Sequence, residues 1–371
     1  MSGTLSERSA ALQMPAPPLL QMTETTPTVL WNDSASPSEL GAALGWGAIG
    51  ATCNPVIALA CLNEDLPRWH QRMRDYAALH PTAGESDIGW QMVRELSAEA
   101  AALLEPIFVD HNGRNGRLSV QTDPRLYRDA AAIVDQAVEF CGIAPNIIVK
   151  IPATAQGLAA IEEATYRGIS INATVSFTVS QAVAVGEAVE RGMCRREAEG
   201  LDVSTMGPVC TIMVGRLDDW LKVVTERDSV TLDPGYLEWA GVAVFKKAYA
   251  IYRGRAFRTR LLSAAFRNHM HWSQLVGGDV VISPPFRWQV RLNRSGIVPL
   301  PRIDDPVGPA IMSELYGRLA DFRRAYDEAG LSPEEFEGFG ATRRTLRQFL
   351  AATSDLESLT RDVLLPDPDG S

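Results

Sequence analysis

The chain has 371 residues, 46% of them hydrophobic and 22% charged, and a formal net charge of −10. This is the composition of a soluble globular protein, long enough for one large barrel with additions or for two ordinary domains. The acidic balance excludes sequence-independent nucleic-acid binding, which needs a basic face, and no apolar run reaches the length of a membrane span. Residues 1–27, rich in Ser, Thr, Pro and Met, read as a disordered tail without the basic start and apolar stretch of a signal peptide; a start at Met22 is an alternative. The five cysteines (Cys53, Cys61, Cys141, Cys194, Cys210) form no C-x-x-C pair, so a reduced, cytoplasmic protein is expected.

From residue 28 onward, short β-like runs alternate with helical patterns. The first strand is expected at Thr28–Trp31 and the second at Ala48–Thr52, after a helix opening at Ser36-Pro37. A helical insert spans roughly 56–108. Strands follow at Arg117–Gln121, Ile147–Ile151, Ser170–Thr174, Val209–Met213, Arg260–Ala264 and Val280–Ile282. Helices are expected at Tyr127–Phe140, Ala155–Tyr166 and Phe177–Arg191. Repeated β-α units favour parallel strands with right-handed crossovers, and eight of them fit a closed (β/α)8 TIM barrel over 28–298. Residues 299–371 read as a C-terminal helical extension packed outside the barrel, with helices at Met312–Tyr326 and Ala341–Ala352.

Lys150 stands in the β-branched run Asn146-Ile147-Ile148-Val149-Lys150-Ile151-Pro152. Only Lys150, Lys222, Lys246 and Lys247 are lysines; the other 31 of the 35 basic residues are arginines. Arginine keeps its proton, whereas a lysine in an apolar pocket can lose it and attack a carbonyl. Lys150 is therefore read as a Schiff-base nucleophile, against the alternative of a strand-end lysine snorkelling to solvent.

Barrel chemistry gathers at the C-terminal ends of the strands. The polar residues expected there are Asp33, Asn54, Gln121, Lys150, Asn172, Thr174, Thr211, Arg216, Ser263, Arg267 and Asn268, with Met213 beside them. Singly, Asp33 reads equally as a helix cap, Asn54-Pro55 as a turn and each arginine as a surface ion pair. Together they divide the work of a ketose aldol cleavage. Lys150 forms the imine and Asp33 takes the hydroxyl proton. Asn54 and Asn172 hold hydroxyls. Gln121 and Thr174 position a water, and Arg216 and Arg267 grip a phosphate.

In their order, Asn32-Asp33-Ser34, Ala51-Thr52-Cys53-Asn54-Pro55, Leu118-Ser119-Val120-Gln121, Val149-Lys150-Ile151-Pro152-Ala153-Thr154-Ala155-Gln156-Gly157, Gly168-Ile169-Ser170-Ile171-Asn172-Ala173-Thr174, Val214-Gly215-Arg216 and Ala264-Ala265-Phe266-Arg267-Asn268 resemble the transaldolase family over about residues 28–290. The resemblance implies a (β/α)8 barrel and transfer of a dihydroxyacetone unit from a ketose phosphate to an aldose phosphate, with no metal or other cofactor. It implies Lys150 as nucleophile, Asp33 as proton acceptor, and Arg216 with Arg267 as the phosphate site. Three positions depart from the family. Gln121 replaces a glutamate, as in the fructose-6-phosphate aldolase branch that releases dihydroxyacetone. Met213 replaces an aromatic, and Thr211 replaces a serine. Release of dihydroxyacetone is the second reading, and a non-catalytic sugar-phosphate-binding barrel the third.

Other groups read as scaffold. His269 and His271 lack metal-ligand spacing. Asn112–Gly116 is turn chemistry, Cys210 is packing, and Asp218-Asp219-Trp220 suits a helix start. Five tryptophans, Trp31, Trp220, Trp239, Trp272 and Trp288, mark a divergent subgroup. The C-terminal helices either join a homodimer or shield the barrel.

Overall fold

Apolar, β-branched runs bounded by turns become eight strands: β1 Val29–Asn32, β2 Ala48–Thr52, β3 Arg117–Gln121, β4 Ile147–Pro152, β5 Ile171–Ser176, β6 Val209–Ile212, β7 Arg260–Ala264 and β8 Val281–Ser283. The computed structural model describes residues 16–369. In it every strand pairs in parallel with its sequence neighbours, and β8 returns to β1 through Val29↔Val281 and Leu30↔Ile282. The (β/α)8 barrel is thus closed. The insert between β2 and β3 is three helices, Pro55–Glu64, Leu66–Leu79 and Glu85–Asp110.

The barrel interior is filled rather than hollow. Trp31, Ile148, Val209, Leu262, Ala264 and Val281 form their own buried cluster, apart from the larger core between strands and helices. Trp31 fits because its neighbour on β2 is Gly50: a Cβ there would lie 2.5 Å from the indole. Side chains alternate along each strand, so Lys150 shares the interior face with Ile148, and Thr211 with Val209.

The expected tail is corrected at its end. Pro18–Thr25 is a helix whose Leu19 and Met22 are fully buried. Pro18 occupies the first turn, where a missing N–H costs nothing. Leu19 N–H donates to Asn293 Oδ1 at 3.1 Å, and Trp272 Nε1 donates to the Met22 sulfur at 3.1 Å. A chain starting at Met22 would lack this helix's first turn and its buried leucine. The rest of the expected tail, residues 1–15, lies outside the described residues.

The C-terminal extension is also corrected. Helices Pro309–Arg318 and Ala320–Tyr326 pack outside, as expected, although Leu319 breaks the single helix read from the sequence. Gly340–Leu364 does not pack outside. It runs across the C-terminal rim, touching the insert helices, β5 and the Val214–Arg227 helix. Its buried stripe mixes hydroxyls with apolar groups: Thr345, Phe349, Ala352, Thr353, Leu356 and Thr360. Such a stripe suits a polar rim better than the apolar outer wall of the barrel.

The N-terminal helix is expected to carry part of the barrel's stability. Leu19→Ala should destabilise the chain by about 2–5 kcal/mol, the range for deleting a fully buried leucine. Chemical denaturation with an unchanged m-value would read this out; a loss under about 0.5 kcal/mol, typical of surface sites, would contradict the packing.

Candidate active site

The floor of the site is a short polar chain inside the barrel. Thr211 Oγ1 donates to Asn172 Oδ1 at 2.8 Å, and Asn172 Nδ2 donates to Ser119 Oγ at 2.9 Å. The strand register places Lys150 beside Asn172 on one side and Gln121 on the other. Lys150 is buried with 3% of its surface exposed, and its amine makes no side-chain hydrogen bond among the described residues. Burial pushes its pKa down, against the opposing pull of the Asp33 carboxylate; Arg216 adds a smaller push downward. A neutral amine is the form that attacks carbonyl carbon.

Asp33 leaves β1 on the same interior face as Trp31. Thr52 Oγ1 donates to its Oδ1 at 2.5 Å. Burial raises its pKa, opposed by Lys150, by the Thr52 hydrogen bond and by Arg216. Lys150 and Asp33 therefore hold each other charged while burial works against both. They do not form a direct ion pair.

Gln121 is buried, and its Oε1 has no hydrogen-bond partner. It faces a small cavity shared with Cys53, Asn54, Trp90, Thr353 and Leu356. Asn54 caps the Pro55–Glu64 helix, its Oδ1 accepting from Val56 N–H and Ile57 N–H at 3.0 and 3.1 Å. The turn reading of Asn54 is thus met, and its NH2 group is left over for the pocket. Thr174 Oγ1 lies 4.0 Å from the Met213 sulfur, and both residues are buried. Val175, next along β5, has φ +54°, a rare conformation for a β-branched residue. It coincides with a register shift between β5 and β6.

Arg216 and Arg267 meet at one side of the mouth. Arg216 stands in the first turn of the Val214–Arg227 helix, where backbone N–H groups point outward. Its Nη1 donates to Gln348 Oε1 at 2.5 Å and to Thr345 Oγ1 at 3.3 Å, and its guanidinium lies 5.4 Å from the Phe349 ring. Burial and then the neighbouring Arg267 push its pKa down to about 10. Arg267 Nε donates to Asp219 Oδ2 at 2.8 Å. Gly215 permits this closeness, since a Cβ there would lie 2.1 Å from Ala265 O.

Two expected site residues are not on the pocket face. Ser263 points away from the barrel interior, where Leu262 and Ala264 lie, and its Oγ donates to His271 O at 3.1 Å. Asn268 is engaged by scaffold: Nδ2 donates to Glu238 Oε2 at 2.6 Å and Oδ1 accepts from Met270 N–H at 2.8 Å.

The helix-start reading of Asp218 and Asp219 misses their partners. Asp219 pairs with Arg267, and Asp218 with His271, Nε2 to Oδ2 at 2.7 Å, with both side chains fully buried. His271 Nδ1 accepts from Arg267 N–H at 3.0 Å, so the ring proton is on Nε2 and is donated to Asp218. Asp218 Oδ1 accepts from Gly241 N–H at 2.8 Å. This buried pair holds the loop that presents Arg267, including Ala265 at φ +63°. The available signal was an acid beside the Val214-Gly215-Arg216 motif and a histidine four residues after Arg267.

A model of the Transaldolase/Fructose-6-phosphate aldolase family matches residues 30–292. A transaldolase of Thiobacillus denitrificans is 28% identical over 310 residues, 75% of this chain and 81% of that protein. Transaldolase 1 of Streptomyces avermitilis is 33% identical over 173 residues, 46% of this chain and 45% of its own length. A transaldolase of Thermobifida fusca is 34% identical over 179 residues, 46% of each chain. With the barrel closed, Lys150 on its fourth strand and the match spanning that barrel, the chain belongs to the transaldolase/fructose-6-phosphate aldolase family and is a transaldolase-type enzyme of sugar phosphates.

Proposed function

We propose that the chain transfers a dihydroxyacetone unit from a ketose phosphate to an aldose acceptor through an imine on Lys150. The observation that carries this is a buried amine of lowered pKa and a carboxyl whose pKa burial raises, on neighbouring parts of the barrel's interior face and each within electrostatic reach of the other. Lys150 Nζ adds to the ketose carbonyl, and water leaves as the protonated imine forms. Asp33 takes the proton of the C4 hydroxyl. The C3–C4 bond then breaks, its electron pair moves toward the iminium, and the aldose phosphate departs. The enamine left on Lys150 attacks the acceptor aldehyde, and water frees the product. Arg216 and Arg267 are assigned to the phosphate, which would replace Gln348 and Asp219 as their partner. Asn54 is assigned to a substrate hydroxyl, Asn172 and Thr211 to the floor beneath the imine, and Gln121 with Thr174 to the water that shuttles protons.

A second reading, release of free dihydroxyacetone, is favoured by Gln121, whose neutral amide stands where a transferase of this family carries a carboxylate. We also assign the chain to the cytoplasm, in keeping with five free cysteines, to small anionic substrates rather than nucleic acid, and to a homodimer. Sedimentation of the purified chain reads out the last.

Borohydride treatment with fructose 6-phosphate should give a reduced three-carbon adduct mapped to Lys150. Lys150→Arg, which keeps the charge, should give none and should lower turnover by at least about 10⁴-fold, as loss of a covalent nucleophile does elsewhere. Turnover that persists in this variant would sink the imine mechanism. Adduct formation should accelerate with pH as Lys150 deprotonates, with a midpoint below the ordinary lysine value because burial lowers its pKa. A midpoint at or above that value would contradict the desolvated pocket.

Product analysis without acceptor separates the two readings: turnover only with an added aldose supports transfer, and free dihydroxyacetone supports the lyase. For the Arg267 loop, Asp218→Ala should raise KM for the phosphorylated ketose about tenfold or more, with a smaller change in kcat. It leaves the His271 N–H unpaired, at a cost of about 1–3 kcal/mol. Asp218→Asn keeps an acceptor for that N–H and should recover most of the loss. Equal effects on phosphorylated and unphosphorylated ketoses would contradict a role in presenting Arg267.

A further inference from the structure

The helix across the barrel mouth is pinned unevenly. Toward its C-terminus, Arg125 Nη1 donates to Glu357 at 2.6 Å, and Arg361 donates two hydrogen bonds to Glu85 at 2.8 and 2.7 Å. Its first two turns carry Arg343, Arg344 and Arg347, all exposed, and none has a carboxylate partner among the described residues. The first turn has no acid, and Phe339 at the N-cap supplies no side-chain acceptor. Three guanidiniums are thus gathered at the positive end of a helix dipole, which favours anions. Nothing within the described chain compensates them.

These arginines line a cavity of about 480 Å³ together with Trp220, Arg227 and Arg324. Arg227 is occupied by Asp228, and Arg324 reaches Asp321 and Glu335 only at 3.8 Å. The single acid of the wall, Asp321, accepts from Trp220 Nε1 at 2.7 Å. Five guanidiniums therefore face one carboxylate, in a chain whose net charge is −10.

The cavity adjoins the catalytic mouth through two matched stripes. Gly340, Arg344 and Gln348 recur four residues apart on one helix, and Arg216 and Trp220 four apart on the other. Gly340 packs on the Trp220 ring, where a Cβ would come within 1.9 Å, and Gln348 accepts from Arg216. Arg344 lies between these contacts, near enough for its charge to be felt by Arg216.

We propose that this cavity is a second anion site, separate from the substrate phosphate site, and that it takes a free, multiply phosphorylated small molecule. Its occupancy neutralises Arg343, Arg344 and Arg347 and steadies Thr345 and Gln348 over Arg216. Binding itself does not depend on the catalytic reading; only its effect on turnover does.

The test uses tripolyphosphate at constant ionic strength, with thermal unfolding and calorimetric titration of the full chain. The wild-type Tm should rise with the logarithm of ligand concentration. Arg343→Ser/Arg347→Ser should weaken binding by roughly tenfold or more, given two lost charge-assisted hydrogen bonds, while still giving the borohydride adduct on Lys150 that shows an intact barrel. Arg216→Gln should retain the response. Absence of a wild-type response overturns the proposal, as does an undiminished response in the double variant. Loss of the response in Arg216→Gln, alone or together with the double variant, would place the anion in the substrate site and also overturn it. In initial-rate kinetics with fructose 6-phosphate, tripolyphosphate should change KM to a plateau at saturation; a KM that rises linearly without limit, the purely competitive pattern, contradicts a separate site.

Discussion

Everything at the mouth of this barrel depends on keeping one amine and one carboxyl buried together. Lys150 and Asp33 lie in a space whose floor is Trp31, Ile148, Val209 and a closed chain of hydroxyl and amide groups. Burial disfavours the charge on each, and each favours the charge on the other. A direct ion pair would lock both and leave no room for a reacting carbon. Held apart in one pocket, the two groups keep a lysine of weakened proton affinity and a carboxylate of strengthened proton affinity. Those are the properties that nucleophile and base need near neutral pH.

That balance needs cover from bulk water, and the cover is the Gly340–Leu364 helix. Thr353 and Leu356 close the cavity beside Gln121, while Thr345, Gln348 and Phe349 meet Arg216. One helix therefore touches both the small cavity beside Gln121 and the Arg216 guanidinium. Two glycines allow the approach. Gly340 lets the helix lie on Trp220, and Gly215 lets the Arg216 turn lie on the Ala265–Arg267 loop. The buried Asp218–His271 pair fixes that loop from behind, so the guanidinium of Arg267 is aimed by groups that never face the pocket.

The barrel itself was legible because its signals are local. Short apolar runs between helical patterns gave strand positions that agree closely with β2, β3 and β7, and the lone lysine among β-branched residues stood out in composition alone. What was not legible depends on contacts distant in sequence. Pro18–Thr25 is short and follows a stretch rich in Ser and Pro, and its docking against Asn293 and Trp272 makes Leu19 and Met22 core. The covering helix has a stripe too mixed to say which wall it would meet. Asp218 and His271 lie 53 residues apart, so no motif links them. Ser263 failed for a different reason: strand alternation assigns it to the outer face, a parity fixed only once Leu262 and Ala264 are seen inside.

The glutamine at position 121 is subject to the same burial. Its cavity is walled by Cys53, Trp90, Val93, Val120 and Leu356, with almost no room for water. A carboxylate there would stand beside Lys150 in the strand register with little water to solvate it. Burial would disfavour its charge, as it does for Asp33. A neutral amide carries no charge to desolvate and keeps an acceptor, the unpartnered Oε1, that can orient a water. In the proposed mechanism, proton traffic then falls to Asp33 and to water rather than to a second acid. The covering helix, whose Thr353 and Leu356 wall that cavity, then bounds the space such a water could enter.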